Sequence, residues 1–434
     1  MNLTTSILLR KPLLLNIWCF IAAFGAYFCT YAFRKPFFTG QFEGYLFLGI
    51  SLKTVYIISQ VLGYMCSKFI GIKIISELKQ QHRTRLVVFL ILTAGLALLL
   101  FGLIPAPYNI PLLFFNGLPL GMVWGVLFSY LEGRRFTEIL GIGLSINMIM
   151  TSGILKTTYL IVQKQFEISE FWMPFTIGIA FLPTFFLFVW MLSKIPPPSF
   201  EEKALKSKRK PMYKLDKQKI IKTYGLGIVS VVVLYALFTI LRDFRDNFAV
   251  EIWNQLDKDH SKLIFAQTEI FIASIVMIFI AMVSVFKNNK PAYYFITILI
   301  SCSLVLILFV NWMFRNNVIS PQIWMTIIGI GFYLPYLLIQ IAFFERLIGY
   351  LKIESNAGFF VYICDSIGYL GSVLLLFFKE FSTIKLDFIE MLYLLGQITA
   401  SFGVILVLIQ FIFFEGKYIK GKPKNRKFNV PAKF

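Results

Sequence analysis

The feature that most constrains this chain is a recurring apolar block of about 20 residues, the length at which an α-helix crosses the hydrocarbon core of a bilayer. Such blocks lie at about 13–33, 45–66, 86–104, 109–131, 139–161 and 171–193, and again at about 223–241, 263–285, 292–313, 322–344, 357–378 and 388–414. Pro196-Pro197-Pro198 and Lys206-Ser207-Lys208-Arg209-Lys210 separate the two sets and suit a solvated linker, not a span. The reading is an all-α polytopic membrane protein with twelve transmembrane helices in two pseudo-symmetric six-helix bundles. The bundles are residues 1–193 and 223–434, the second ending in a basic tail, with a cytoplasmic linker at 194–222 between them. Only 15% of the residues are charged, too few to cover a water-facing surface, where about 25% is usual.

The net charge of +20 raises the question of nucleic acid, but the position of the basic residues answers it. If the first span begins inside the cell, 30 of the 42 Lys and Arg residues fall in inner segments and 10 in outer ones. Lys53 and Lys156 fall within spans. This is the positive-inside asymmetry, and it places both termini in the cytoplasm of a cell whose inner membrane holds the chain. The linker and tail then face anionic lipid headgroups, and no nucleic-acid partner is expected. The five cysteines lie in or beside apolar segments without CxxC spacing, and His82 and His260 are far apart, so no disulfide, metal site or cofactor is expected. No nucleophile–base pattern, phosphate loop or HExxH motif is present, and the chain is not read as an enzyme.

The two sets of spans share details. Tyr27 precedes Arg34 by the same interval as Tyr235 precedes Arg242, and both arginines close an apolar block at its outer end, followed by a further charge, Lys35 or Asp243. Glu132, Arg134 and Arg135 after the fourth span answer Glu345 and Arg346 after the tenth. Corresponding marks in corresponding places point to a duplicated bundle, in which a solute site sits between the halves. Gly117, Gly121 and Gly125 run along span four beside Pro119, and Gly329, Gly331 and Pro335 along span ten; close helix packing is their expected role.

On these residues the chain resembles the major facilitator superfamily from about residue 13 to 414. Gly63-Tyr64-Met65-Cys66-Ser67-Lys68, followed by Gly71 and Lys73, is similar to the superfamily's motif in the loop between spans two and three. Ser67 stands where an aspartate is usual, and one extra residue precedes Gly71. Tyr31-Ala32-Phe33-Arg34-Lys35-Pro36 and Arg242 resemble the paired arginines of organophosphate:phosphate antiporters, and Asp365-Ser366-Ile367-Gly368-Tyr369 a span-eleven pattern of their sugar-phosphate relatives. The strings NGLPLGMVWG (116–125), LEGRR (131–135) and RDFRDNFAVEIW (242–253) resemble an uncharacterised bacterial major-facilitator-like family. The resemblance implies a secondary transporter working by alternating access, with a coupling proton or counter-transported anion as a possible second partner. A transporter-derived membrane sensor and a polytopic enzyme are the alternatives.

Charge within a membrane costs about 2.5–3.5 kcal/mol at a helix centre, so each instance asks for a reason. Arg34 and Arg242 lead: two guanidinium forks from symmetry-related spans can grip one phosphate or carboxylate. The competing reading is that both reach the outer headgroups. Arg242 and Asp246, four residues apart, are placed to pair on one helix. Asp365, near mid-membrane, is expected either to pair with Arg34 or Lys156 or to carry a proton, with a structural hydrogen bond to a neighbouring helix as the alternative. Lys53, Lys156 and Glu269 are cavity candidates, with interfacial anchoring or mutual pairing as the alternative. Tyr27, Tyr31 and Tyr235 share helical faces with the arginines and are candidates to hydrogen-bond the solute. Ser67, Lys68, Glu132, Arg134, Arg135, Glu345 and Arg346 are candidates for an inner gate.

Overall fold

Each apolar block becomes a helix, with ends set by proline, glycine and clustered charge. In the computed structural model the described residues are Ser6, Leu8, 11–76, 78–131, 137–197, 214–353, 355, 357–382 and 386–421. The helices of the first half are α1 (Pro12–Ala32), α2 (Leu52–Ser76), α3 (Arg83–Leu103), α4 (Ile110–Leu131), α5 (Thr137–Phe166) and α6 (Met173–Ser193). In the second half α7 (Lys214–Asn247) is followed by a short helix α8 (Ala249–Leu256), then α9 (Ile264–Val283) and α10 (Asn289–Arg315). The half ends with α11 (Pro321–Leu351), α12 (Ala357–Phe381) and α13 (Phe388–Gly421).

Ten of these, among the described residues, are long and apolar enough to cross a membrane on hydropathy alone. The remaining long helices, α2 and α5, are equally long but more polar. On α5, Ser145, Asn147, Thr151, Ser152, Lys156 and Thr157 are all buried, so this polarity faces the protein interior. The lipid-facing surface is apolar: Phe89, Leu92 and Leu96 form an exposed stripe on α3, and Phe402, Ile405, Leu408 and Ile412 another on α13. Such stripes would aggregate in water and are stable against lipid tails.

Neighbour relations repeat between the halves. Helix α1 packs on α4, α5 and α6, as α7 packs on α11, α12 and α13. Helix α4 touches α2 and α3, as α11 touches α9 and α10, and the α3–α6 pair recurs as α10–α13. These are the same contacts six spans later: two pseudo-symmetric six-helix bundles. The halves meet along two seams, α5 with α9 and α2 with α12. The two polar helices are therefore seam helices, where side chains meet the other half instead of lipid.

Glycine sets the closest approach within the first half. A Cβ on Gly117 would lie 2.2 Å from the Gln60 carbonyl oxygen, and one on Gly63 2.1 Å from that of Phe114. Gly121 abuts Ser67 in the same way, so α2 and α4 run backbone to backbone, as the glycine ladder implied. In the second half Gly329 admits Ile272 and Gly331 admits Ile307.

Three boundaries differ from the sequence reading, and each moves a functional residue. Residues 45–51 are not helical: Leu46–Phe47 pairs antiparallel with Ile50–Ser51 through Leu48 and Gly49, both at positive φ. Helix α2 starts after that hairpin and runs on to Ser76, so Ser67 and Lys68 lie inside a helix and not in a loop. Helix α7 begins at Lys214, within the stretch read as linker, and continues to Asn247, which places Arg242 and Asp246 inside a helix.

Candidate functional site

A cavity of about 460 Å³ lies between the halves. Its lining runs from Lys35, Arg34, Arg242 and Asp246 to Leu78, Arg83, Glu345 and Ala357. The latter group lies at the end where α2 joins α3 and α11 joins α12, the basic side, where most of the described Lys and Arg residues fall. The cavity thus reaches from the middle of the bundle to the basic side.

Arg34 owes its position to a helix stop. Pro36 cannot continue α1, so the chain turns after Ala32 into a short 3-10 segment, Pro36–Phe38. The carbonyls released by that break are held: Asn116 Nδ2 donates to Phe33 O at 3.0 Å, and Gln60 Nε2 donates to Arg34 O at 3.2 Å and to Asn116 Oδ1 at 2.7 Å. The Arg34 guanidinium lies over the Tyr64 ring, 3.9 Å from its centroid. Among the described residues no carboxylate pairs with it, and its buried Nε has no hydrogen-bond partner.

Arg242 occupies the corresponding place in the second half but is compensated. Its Nε and Nη2 both donate to Asp243 Oδ1, at 3.0 and 2.7 Å, and Ser372 Oγ donates to Asp243 Oδ2 at 2.7 Å. Its Cζ lies 4.3 Å from the Tyr336 ring centroid. The i,i+4 pairing with Asp246 is not made. Both arginines line the cavity and neither reaches outward to headgroups.

Asp365 lines the cavity with Lys68 Nζ 3.7 Å away across the α2–α12 seam. From behind it accepts a hydrogen bond from Tyr235 Oη at 2.6 Å. Of the partners expected for Asp365, Lys156 pairs with Asp246, and Arg34 lies over the Tyr64 ring without reaching Asp365. Lys68, read as a gate residue, is a wall residue of the cavity, whereas Ser67 is buried against Gly121. Tyr27 and Tyr31 line the cavity as an edge-to-face pair at 5.0 Å; Tyr235 does not line it.

The far end of the cavity is closed by charge pairs that join the halves. Asp246 of α7 accepts from Lys35, from Lys156 of α5 and from Ser152, the last at 2.5 Å. Lys53, in the first turn of α2, pairs with Glu251 of α8. Glu380 of α12 accepts from Thr54 Oγ1 at 2.6 Å and from the Ser51 amide at 3.4 Å, so a carboxylate of one half caps the N-terminus of a helix of the other. Thr157 Oγ1 donates to Lys262 O at 2.9 Å, and Lys262 Nζ to Leu160 O at 2.9 Å.

These contacts correct three cavity assignments. Lys53 and Lys156 belong to the far-side closure, and Glu269 is paired with Arg245 at 2.5 Å inside the second half. Of the inner-gate candidates, Glu345 lines the basic-side mouth and Arg346 lies 3.4 Å from Asn289 Oδ1. Glu132, Arg134 and Arg135 fall outside the described residues. Sequence reasoning missed Tyr64, Tyr336, Tyr369 and Trp124 as wall residues, along with the closing roles of Lys35, Asp246, Glu251 and Glu380. Tyrosines and tryptophans of the wall carry no mark that separates them from packing aromatics, and pairs more than 190 residues apart, such as Lys53 with Glu251, have no local signature.

This arrangement is the major-facilitator fold, and solved transporters share it. The nucleoside transporter NupG superposes with a TM-score of 0.60 at 14% identity, over 92% of this chain and 99% of that one. The inward-open xylose transporter XylE from E. coli gives 0.57 at 14% identity, over 92% and 96%. A bacterial homolog of the human lysosomal transporter Spinster, inward-facing and unoccupied, gives 0.59 at 13% identity, over 95% and 99%. No curated protein matches the sequence. The chain belongs to a family of unknown function, DUF5690, whose model matches residues 36–417.

Proposed function

We propose that this protein is a secondary active transporter of a small organic anion, a phosphate ester or carboxylate, working by alternating access. The observation that carries the reading is Arg34: a cation that stays ionised, lining a cavity between two pseudo-symmetric halves, with no carboxylate beside it among the described residues. An uncompensated guanidinium away from bulk water is unfavourable until an anion arrives, and the anion then gains a strong charge-assisted contact. Arg242, already holding Asp243, adds field and a second face to the same space.

The rocking bodies are residues 1–193 and 223–434, joined through 194–222. Closed far-side ion pairs and a cavity reaching the basic side correspond to the inward-open stage, with the basic side in the cytoplasm by the positive-inside rule and the chain in the inner membrane. Two of the solved neighbours are inward-open or inward-facing transporters. Lys68 and Asp365 serve as the coupling pair: an anion that draws Lys68 away breaks its contact with Asp365, and a coupling proton or a counter-transported anion restores the starting state.

Proteoliposomes test the reading. Uptake of a labelled phosphate ester or carboxylate is expected in the wild type and is expected to fall by at least about tenfold in Arg34→Gln. Equal flux in Arg34→Gln would remove that residue from the mechanism, and binding without flux would identify a solute sensor instead.

A further inference from the structure

The string NGLPLGMVWG takes no part in the anion contact beyond Asn116, yet its last two residues line the cavity. Trp124 and Phe128, one turn apart on α4, stack in parallel with centroids 5.0 Å apart and an interplanar angle of 5°. Both are part-buried cavity wall residues, and Gly125, with no side chain, lies between them on the same wall. Together they form an offset face-to-face aromatic stack within the cavity wall. Gly121 packs on Tyr64 O and Ser67, so Trp124 lies about one helical turn, roughly 4.5 Å of rise, from the level of the Tyr64 backbone, and the Tyr64 ring carries the Arg34 guanidinium.

Resting on the anion reading above, we infer that the solute carries an aromatic ring as well as its phosphate or carboxylate. The anion sits on Arg34 and the ring packs against the Trp124–Phe128 stack. Three features favour this over a compact anion. The cavity, at about 460 Å³, is several times the space of an inorganic phosphate or acetate. Buried aromatic surface gains most from a second aromatic face, through offset stacking and dispersion, whereas a hydrated inorganic ion gains nothing from it. The opposite walls carry Tyr336 and Tyr369, whose rings and hydroxyls suit a ring with polar substituents better than a bare alkyl chain.

The test is equilibrium binding to the full-length detergent-solubilised protein, comparing phenyl phosphate and benzoate with glycerol phosphate, glucose 6-phosphate, inorganic phosphate and acetate. In the wild type the aryl anions are expected to bind about tenfold tighter than open-chain or inorganic anions of equal charge. Trp124→Leu is expected to erase that preference, and Trp124→Phe, which keeps a ring, to retain most of it. Binding of the aryl anions should also quench tryptophan fluorescence in the wild type more than in Trp124→Phe. Aryl and non-aryl anions binding equally, or a preference that survives in Trp124→Leu, would overturn the inference while leaving the anion reading intact. A preference for glucose 6-phosphate that depends on Trp124 would replace the aromatic ring with a sugar ring. No binding of any anion would overturn both.

Discussion

At the scale of single residues, four charges of similar appearance in the sequence have four different environments. Arg34 has no acidic partner among the described residues, Arg242 holds Asp243, Arg245 is bound to Glu269 and to Met325 O at 3.1 Å, and Lys53 holds Glu251. The distinction yields opposite expectations for the same substitution. Arg245→Gln strips a buried carboxylate of its counter-charge, a loss on the order of 3–5 kcal/mol, and is expected to lower the melting temperature by several degrees. Arg34→Gln removes an uncompensated charge and is expected to leave the melting temperature unchanged or raised, while abolishing the upward shift that a bound anion causes. Differential scanning fluorimetry with and without phosphate ester checks both. A stabilising role for Arg34 would show as a fall in the ligand-free melting temperature.

Among elements, the seam helices α2 and α5 carry the consequences. The N-terminus of α2 is held by Glu380 and by the Lys53–Glu251 pair, both reaching across from the second half. Neutralising both acids, Glu251→Gln with Glu380→Gln, is expected to loosen the far-side closure. Its measure is the rate at which a membrane-impermeant maleimide labels a cysteine placed at buried Asn247 in a cysteine-free background. An increase of about tenfold or more is expected, since two charge-assisted contacts of about 1 kcal/mol or more each are weakened. On α5, Gly153 faces the backbone of Phe265, where a Cβ would come within 2.4 Å. Helix α11 adds a different feature: a π-turn at Ile339–Phe343, just after Pro335, that brings Gln340 and Ile341 to the cavity wall.

For the molecule as a whole, two seams join bodies that share one internal plan. If the bodies rock, the two faces must change in opposite senses. Spin labels at exposed Tyr108 and Val318 report the far side, and labels at exposed Lys79 and Lys287 report the basic side. With anion and turnover, pulsed EPR is expected to show a longer far-side distance appearing together with a shorter basic-side one. Distances that change on one side only would point to a local gate instead of a rocking movement.

Much of this plan was legible in the residues themselves. Twelve apolar blocks in two sets of six follow from the cost of leaving backbone groups unsatisfied in lipid, and that cost depends only on local composition. The paired positions of Arg34 and Arg242 were visible for the same reason: a charge closing an apolar block stands out against its neighbours. The glycine ladder on α4 announced a close packing that Gly117 and Gly121 then made. What composition cannot encode is which partner each charge finds. Asp246 turned from Arg242, four residues away, to Lys35 and Lys156 of the other half, and Asp365 met Lys68 instead of Arg34. Those choices rest on how two bundles are docked and on which end is closed, a relation between segments roughly 90 to 300 residues apart. Sequence by itself determined the solvent, the helices and the places where charge had to be explained; tertiary structure alone decided which charge, among the described residues, was left without an acidic partner, because pairing is settled by distance in space.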